Sequence, residues 1–146
     1  DGDDSVTVSG DMRGNASVDA GAGDDTVSVG RLRGRSVIDG GAGNDTITIA
    51  EIRYHTTITA GDGNDTVTIG SVTNNYRGSI SMGNGDDTLT LRDPGNIFAG
   101  VNGSFSGGSG NDILNLPDVD TARWNQISSM FSGFETINLK DSTITN

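Results

Sequence analysis

The sequence predicts an all-β fold over residues 1–116, wound into a right-handed parallel β-solenoid (a β-roll or β-helix) of about five coils. The first observation behind this prediction is an aspartate that ends a glycine-rich turn and recurs every 20 to 25 residues. The second is a segment after each turn in which polar and apolar residues alternate. A fixed period of about 20 residues is typical of solenoids, because each repeat buries its apolar face only against its neighbours. A β-sandwich with Gly and Asn turns is the alternative, and the strict period disfavours it.

Each coil begins with the turn, and residues 40–48 (GGAGNDTIT) are its clearest copy. Glycine adopts positive φ at little steric cost, and Asn44 tolerates the same angles. Such a turn points backbone carbonyls and the carboxylate of Asp45 inward. Calcium takes about six to eight oxygen ligands of these two kinds. Because one turn supplies only part of that number, we expect each ion to lie between two successive turns.

The predicted calcium ligands are the glycines and the final aspartate of every turn, with several ions stacked along the coils. These residues are Asp4, Gly21, Gly23, Asp25, Gly41, Gly43, Asp45, Gly61, Gly63, Asp65, Gly83, Gly85, Asp87, Gly108, Gly110 and Asp112. Magnesium fits less well, because it prefers rigid octahedral geometry and retains its waters. Zinc is not expected, because the chain has no cysteine and one histidine. The alternative is that these residues serve only as turn formers.

Two strands and a second corner complete each coil. In the strand after the turn, the second and fourth residues are Val, Ile or Leu and are predicted to point inward. The returning strand carries one predicted buried ladder, formed by Val18, Ile38, Ile58, Ile80 and Phe105. The second corner carries inward-pointing apolar residues, namely Met12, Leu32, Ile52, Val72 and Ile97.

After the repeats, residues 117–146 are predicted to form a C-terminal cap with a short helix and a strand. Asp118 or Asp120 can cap the start of the helix, and Gly133 suits its end. The strand is expected over 134–139. The apolar face of the helix is formed by Trp124, Ile127 and Phe131. A cap is needed because an open solenoid end exposes apolar core and an unpaired strand edge.

Composition restricts the possible partners. The net charge of −11 argues against binding to nucleic acid or to an anionic membrane surface. Most of the acidic residues lie in or beside the turns, where carboxylates stacked about 4.8 Å apart repel unless a cation lies between them. No apolar run approaches the roughly 18 residues that a membrane span needs. The first turn is cut in half and no signal peptide precedes Asp1, so we expect a piece of a longer repeat array.

Residues 40–48 resemble the nonapeptide G-G-x-G-x-D-x-U-x of the RTX calcium-binding repeats, where U is a large apolar residue. Further copies occur at 20–28, 60–68 and 82–90, with Ala or Met in the first position, and in full at 107–115. The resemblance implies export by a bacterial type I system and folding on meeting extracellular calcium. It also implies a role within a large adhesin, toxin or polysaccharide-modifying enzyme.

The repeat spacing departs from that of familiar RTX rolls, in which nonapeptides follow one another directly. Here each nonapeptide alternates with about eleven other residues, so calcium is expected along one edge only. This pattern is more similar to the single-edged repeats of giant bacterial adhesins, including their ice-binding region. Residues 131–139 (FSGFETINL) also resemble segments that close repeat arrays in such adhesins.

The second corner is basic, and this suggests a further binding surface. Arg13, Arg33 and Arg53 occupy equivalent positions in three coils. Together with Tyr54, Tyr76 and Arg77, they form a candidate site for an anionic glycan, through guanidinium forks and a stacking aromatic ring. The alternative is a solvated face whose arginines offset nearby acids such as Asp11 and Glu51.

Two other functions have weaker support in the sequence. A polysaccharide lyase with His55 or Tyr54 as base lacks a visible acid partner, so we predict that the chain is not an enzyme. Outward hydroxyls in a Thr-x-Thr array resemble the ice-binding faces of several antifreeze solenoids, although threonine is also simply favoured on exposed strands. The array comprises Thr26, Ser28, Thr46, Thr48, Thr66, Thr68, Thr88 and Thr90.

The predicted function is therefore a calcium-binding structural or adhesive module of a secreted bacterial surface protein. An anionic-polysaccharide-binding module and an ice-binding domain are the alternatives. A host or cell surface is a further candidate partner of the module.

Overall fold

The computed structural model describes residues 1–73, 75–92 and 102–146. The chain winds as a parallel β-solenoid of about six turns, nearly all strand with one short helix, which confirms the predicted fold class. Each coil gives one strand to each of two sheets, and the core lies between them.

The strands that follow the turns form the first sheet. In order across the sheet they are β1 (Ser5–Met12), β3 (Thr26–Leu32), β5 (Thr46–Ile52), β7 (Thr66–Ile69), β9 (Thr88–Leu91), β11 (Ile113–Leu116), β13 (Thr136–Leu139) and β14 (Thr143–Thr145). Every pair is parallel except the last, in which β14 runs antiparallel to β13.

The returning strands form the second sheet and are all parallel. They are β2 (Ser17–Ala22), β4 (Val37–Ala42), β6 (Thr57–Asp62), β8 (Ser79–Asn84), β10 (Ser104–Ser109) and β12 (Phe131–Ser132).

The register places equivalent residues of successive coils directly beside one another. Thr46 pairs with Thr26 on one side and with Thr66 on the other, so the outward hydroxyls form continuous rows. The predicted ladder from Val18 to Phe105 is confirmed by the pairing of the second sheet. At the second corner, the four predicted inward residues from Met12 to Val72 are buried, whereas Ile97 lies outside the described residues.

The helix predicted after the repeats is present as α1 (Thr121–Ile127). The carboxylate of Asp120 caps its start by accepting the backbone N–H of Arg123 at 2.8 Å. The prediction that Gly133 ends this helix is wrong, because α1 ends with Ser128 as its cap, and a 3-10 turn follows over Ser128–Met130. Among the described residues, no helix is both long and apolar enough to cross a membrane.

Residues 131–139 make a further coil rather than a helix end and one long strand. Phe131 pairs with Phe105 in the second sheet, and Thr136 pairs with Ile113 in the first. Gly133, at φ 67°, therefore lies in a turn between two strands, and the strand predicted over 134–139 begins at Thr136. The Phe131 ring stacks on Phe105 with ring centroids 4.9 Å apart, and Trp124 packs on Phe131 at 5.4 Å.

Candidate metal centre

The glycine-rich turns lie in register along one edge of the solenoid. Gly41 pairs with Gly21 and with Gly61, and all three have φ between 106° and 129°. A Cβ added at Gly41 would lie 1.9 Å from the carbonyl oxygen of Gly21. Glycine is therefore required here both by the left-handed backbone and by the close approach of the neighbouring coil.

The aspartates that end the turns are buried and linked from coil to coil. The Oδ1 atom of each accepts the backbone N–H of the aspartate in the preceding coil, at 2.7 to 2.9 Å. The donor and acceptor pairs are Asp4 to Asp25, Asp25 to Asp45, Asp45 to Asp65, Asp65 to Asp87, and Asp87 to Asp112. Asp4 itself is exposed, whereas the five acceptors are no more than 2% exposed.

A second, exposed ladder runs in the opposite direction through the residues that precede these aspartates. The backbone N–H of Asn44 donates to Asp24 Oδ1 at 2.7 Å, and that of Asn64 donates to Asn44 Oδ1 at 2.8 Å. The N–H of Asp86 continues the ladder to Asn64 Oδ1 at 2.8 Å. Each central turn is thereby tied to both of its neighbours, which fixes the position of its carboxylate.

Among the described residues, the second carboxylate oxygen of each buried aspartate finds no hydrogen-bond partner. This holds for Oδ2 of Asp25, Asp45, Asp65, Asp87 and Asp112. Leaving a buried polar group unsatisfied costs on the order of 1–3 kcal/mol, and more when the group is charged. A row of such oxygens is unfavourable unless another group, such as a cation, binds them.

The oxygens at this edge are of the kinds that a hard cation binds. A Cβ added at Gly40 would lie 2.4 Å from both Asp45 Oδ2 and the carbonyl oxygen of Ala60 in the next coil. A carboxylate oxygen of one coil and a carbonyl oxygen of the next therefore lie close to each other beside Gly40. Among the described residues, no three acidic or histidine side chains gather around one point. A cation here would thus be held largely by backbone carbonyls, a donor set that suits calcium.

The electrostatics of the edge lead to the same conclusion. Burial raises the pKa of Asp45, Asp87 and Asp112, and it raises the pKa of Asp65 to about 6. The backbone N–H bond to each carboxylate opposes this shift, and the negative charges of neighbouring acids add to it. A bound cation would reverse the shift by favouring the ionised form.

Sequence reasoning missed Glu135 as a member of the buried ladder. Its Oε2 atom accepts the backbone N–H of Asp112 at 2.8 Å, as an aspartate does in the other coils. The signal was present, because the segment after Glu135 (TINL) matches the segment after Asp112 (ILNL). The unmatched Phe134, in the position of Asn111, hid the equivalence.

The structure brings together Arg13, Arg33 and Arg53 at the second corner, but it also pairs them with acids. Asp11 lies within 3.6 Å of Arg13 and Arg33, and Glu51 forms ion pairs with Arg33 and Arg53. The stacked guanidinium groups are therefore partly neutralised by the chain itself.

The two tyrosines predicted for the same surface lie in different environments. Tyr54 is 42% exposed, at φ 64°, and Arg77 is also exposed. Tyr76 is fully buried, its hydroxyl donates to the carbonyl of Thr56 at 3.3 Å, and burial raises its pKa. This placement removes Tyr76 from the candidate glycan surface.

Comparison with known proteins gives two similarities. The RTX calcium-binding nonapeptide repeat matches in four copies, at residues 12–31, 32–48, 56–71 and 102–116. A comparison with curated proteins found no match.

Among solved structures, the chain is similar to the X-ray crystal structure of a hyperactive, Ca2+-dependent, beta-helical antifreeze protein from an Antarctic bacterium. The identity is 21% and the TM-score 0.47, over 99% of this chain and 57% of that protein, so the chain spans little more than half its length. The RTX calcium-binding nonapeptide repeat matches a little under half of the chain, in four separate segments.

Proposed function

We propose that the chain is a calcium-loaded structural module of a secreted bacterial surface protein, with ions held between successive turns along one edge. The observation that carries the proposal is the row of buried aspartate Oδ2 atoms that have no hydrogen-bond partner within the described part of the chain. The RTX repeats support calcium as the ion. In this role the module is a scaffold within an adhesin and not an enzyme.

Calcium binding would be coupled to folding. Each proposed site combines the turn aspartate of one coil, such as Asp45, with backbone carbonyls of the next coil. No site therefore exists until two coils have stacked. An ion that binds only the folded chain stabilises it by mass action, and it also offsets the repulsion between buried carboxylates. A chain of this kind would be much less stable before it met calcium outside the cell than after.

The test is circular dichroism and thermal unfolding of the whole chain in calcium and in excess chelator. We expect chelation to abolish the β signal or to lower the melting temperature strongly, and magnesium to restore it poorly. Asp45→Asn should lower the melting temperature in calcium, whereas Asp19→Asn, at an exposed acid on β2, should not. An unchanged melting temperature in excess chelator would refute the proposal.

A second candidate function is binding of an anionic glycan at the arginine corner. The observation that favours it is the exposure of Tyr54 and Arg77, which lie in adjacent coils and are joined by a backbone hydrogen bond of 2.7 Å from Arg77 N–H to the Tyr54 carbonyl. A stacking ring beside an exposed cation suits a charged sugar. The test is binding to a sulfated glycan and to its desulfated form, with loss of binding expected for the desulfated form and for Tyr54→Ala.

A further inference from the structure

The turn at Gly133–Glu135 lies outside the nonapeptide pattern but has the same position as the repeat turns. It follows β12 and precedes β13, which extend the two sheets by one coil. Three hydrogen bonds join Asp112 to the end of this turn and to the first residue of β13. The N–H of Asp112 donates to Glu135 Oε2, and the N–H groups of Glu135 and Thr136 both donate to the Asp112 carbonyl at 3.1 Å.

This turn also brings a carbonyl oxygen to the side of a buried carboxylate that lacks a partner. Asp112 is fully buried, and its Oδ2 atom accepts no hydrogen bond from any residue that the structure describes. A Cβ added at Gly107 would lie 2.7 Å from Asp112 Oδ2 and 1.9 Å from the carbonyl oxygen of Gly133. The central site beside Gly40 has the same construction, with Asp45 Oδ2 and the Ala60 carbonyl.

Gly133 is suited to this role by its backbone. Its φ of 67° lies in the left-handed region, and a Cβ at this position would lie 2.9 Å from the backbone nitrogen of Gly108. A side chain at position 133 would therefore push the turn away from Asp112 and move the carbonyl out of the site.

We propose that the cap completes a terminal calcium site, in which Gly133 and Glu135 supply the oxygens that a further nonapeptide would otherwise supply to Asp112. This inference rests on the proposed calcium function of the repeat turns. Its consequence is that the last ion fastens the cap to the repeats, so the order of residues 131–146 depends on calcium.

The rival explanation is that Glu135 only accepts the Asp112 N–H. Glutamine would serve equally well in that role, because its carbonyl oxygen accepts the same hydrogen bond at nearly the same geometry. It lacks the negative charge that favours calcium binding. Glu135→Gln therefore separates an ion ligand from a simple hydrogen-bond acceptor.

The single tryptophan of the chain offers a site-specific readout. Trp124 and Gly133 line the same small pocket, so the terminal site lies closer to this ring than the sites of the central coils do. Terbium, which binds the same oxygen ligands as calcium and emits when a nearby indole is excited, is the probe. The experiment uses the whole chain, excites at the long-wavelength edge of the tryptophan band, and counts bound calcium by native mass spectrometry.

We expect the parent chain to show tryptophan-sensitised terbium emission that calcium displaces. Glu135→Gln should abolish this emission and remove one calcium ion per chain, whereas Glu51→Gln, at the opposite corner, should change neither. Glu135→Asp keeps the charge on a shorter side chain and should restore emission at higher terbium concentration. This variant also keeps the test interpretable if Glu135→Gln weakens the fold.

Full emission and an unchanged ion count in Glu135→Gln would overturn the inference. The same holds if the parent binds several calcium ions but gives no tryptophan-sensitised emission, a result that leaves the proposed function of the repeat turns intact. A parent chain that binds no calcium at all would overturn the proposed function itself.

Discussion

Asp65→Asn should have opposite effects on stability with and without calcium. Without calcium, the substitution removes a buried negative charge that the fold does not neutralise, so we expect it to stabilise the chain at neutral pH. With calcium, it removes a proposed ligand from the centre of the array, so we expect it to destabilise the chain. A residue that served only as a turn former would not reverse its effect in this way.

The magnitude follows from the pKa of Asp65, which burial raises from 3.8 to about 6. Each pKa unit corresponds to about 1.4 kcal/mol, so the ionised carboxylate costs the calcium-free fold about 3 kcal/mol at neutral pH. Because the folded-state pKa lies above the unfolded one, this cost is absent below pH 3.8, grows between pH 3.8 and about 6, and is fully present at higher pH. In calcium, loss of a site that is filled at 100 times its Kd costs about 2.7 kcal/mol.

The assay is urea unfolding of the parent and of Asp65→Asn between pH 4 and pH 8, after calcium removal on a chelating resin and again in excess calcium. The calcium-free parent should lose stability relative to Asp65→Asn as the pH rises, and the order should reverse in calcium. Asp39→Asn, at an exposed acid of β4, is the control and should give parallel curves. If Asp65→Asn is destabilising to the same extent in both conditions, the cation argument for this carboxylate is refuted.

Three other predictions concern the edge, the corner and the outer face. Gly41→Ala should prevent folding even at saturating calcium, because its Cβ would meet the Gly21 carbonyl, whereas Gly10→Ala, where nothing lies within 4 Å, should melt like the parent. If the corner binds glycans, Arg33→Ala with Arg53→Ala should abolish binding to a sulfated glycan at low salt and leave the calcium-dependent melt unchanged; equal binding by the double variant would show a solvated face. If the outer hydroxyl rows bind ice, replacing Thr46, Thr48, Thr66 and Thr68 with Tyr should abolish thermal hysteresis, and a parent chain without hysteresis would exclude this function.

The turn edge was predictable from the sequence because its geometry allows few residues. At position 41 only glycine fits, because φ is left-handed and any Cβ would lie 1.9 Å from the carbonyl oxygen of the neighbouring coil. The same restriction applies in every coil, and this is why glycine recurs about every 20 residues in the sequence. The inward and outward alternation of the strands follows from the pleat alone. The sequence does not reveal that the two side-chain ladders run in opposite directions, since Asp and Asn at adjacent positions can each accept an N–H from either neighbouring coil.

The end of the array was less predictable, because a helix C-terminus and a solenoid turn both favour glycine at the same kind of position. Gly133 has the positive φ of a helix C-cap and of a solenoid turn alike, and only the pairing of Phe131 with Phe105 distinguishes them. Tyr76 follows a polar stretch, and this pattern predicts a position on the surface. It instead fills the interior beside Phe105, with ring centroids 5.9 Å apart, where Gly78 and Gly103 leave room for its ring.

The two edges of the solenoid resolve the same electrostatic problem differently. In-register stacking places equivalent residues side by side, so a charge repeated in every coil repels itself. At the second corner the charge changes sign along the stack, since Asp11 pairs with Arg31 and Arg31 with Glu51 in adjacent coils. The corner therefore balances much of its own charge, and this weakens the argument that it needs a polyanion.

The turn edge has no such alternation, because the acceptor at each buried step is an aspartate and the last acceptor is the half-buried Glu135. The Oδ1 atoms of the aspartates accept backbone N–H groups, which leaves their Oδ2 charge uncompensated within the described residues of that edge. The compensating charge must come from outside the chain, and it must be small enough to lie between coils about 4.8 Å apart. A bound cation at each step meets both conditions, whereas a lysine or arginine from a partner would have to enter a closed stack.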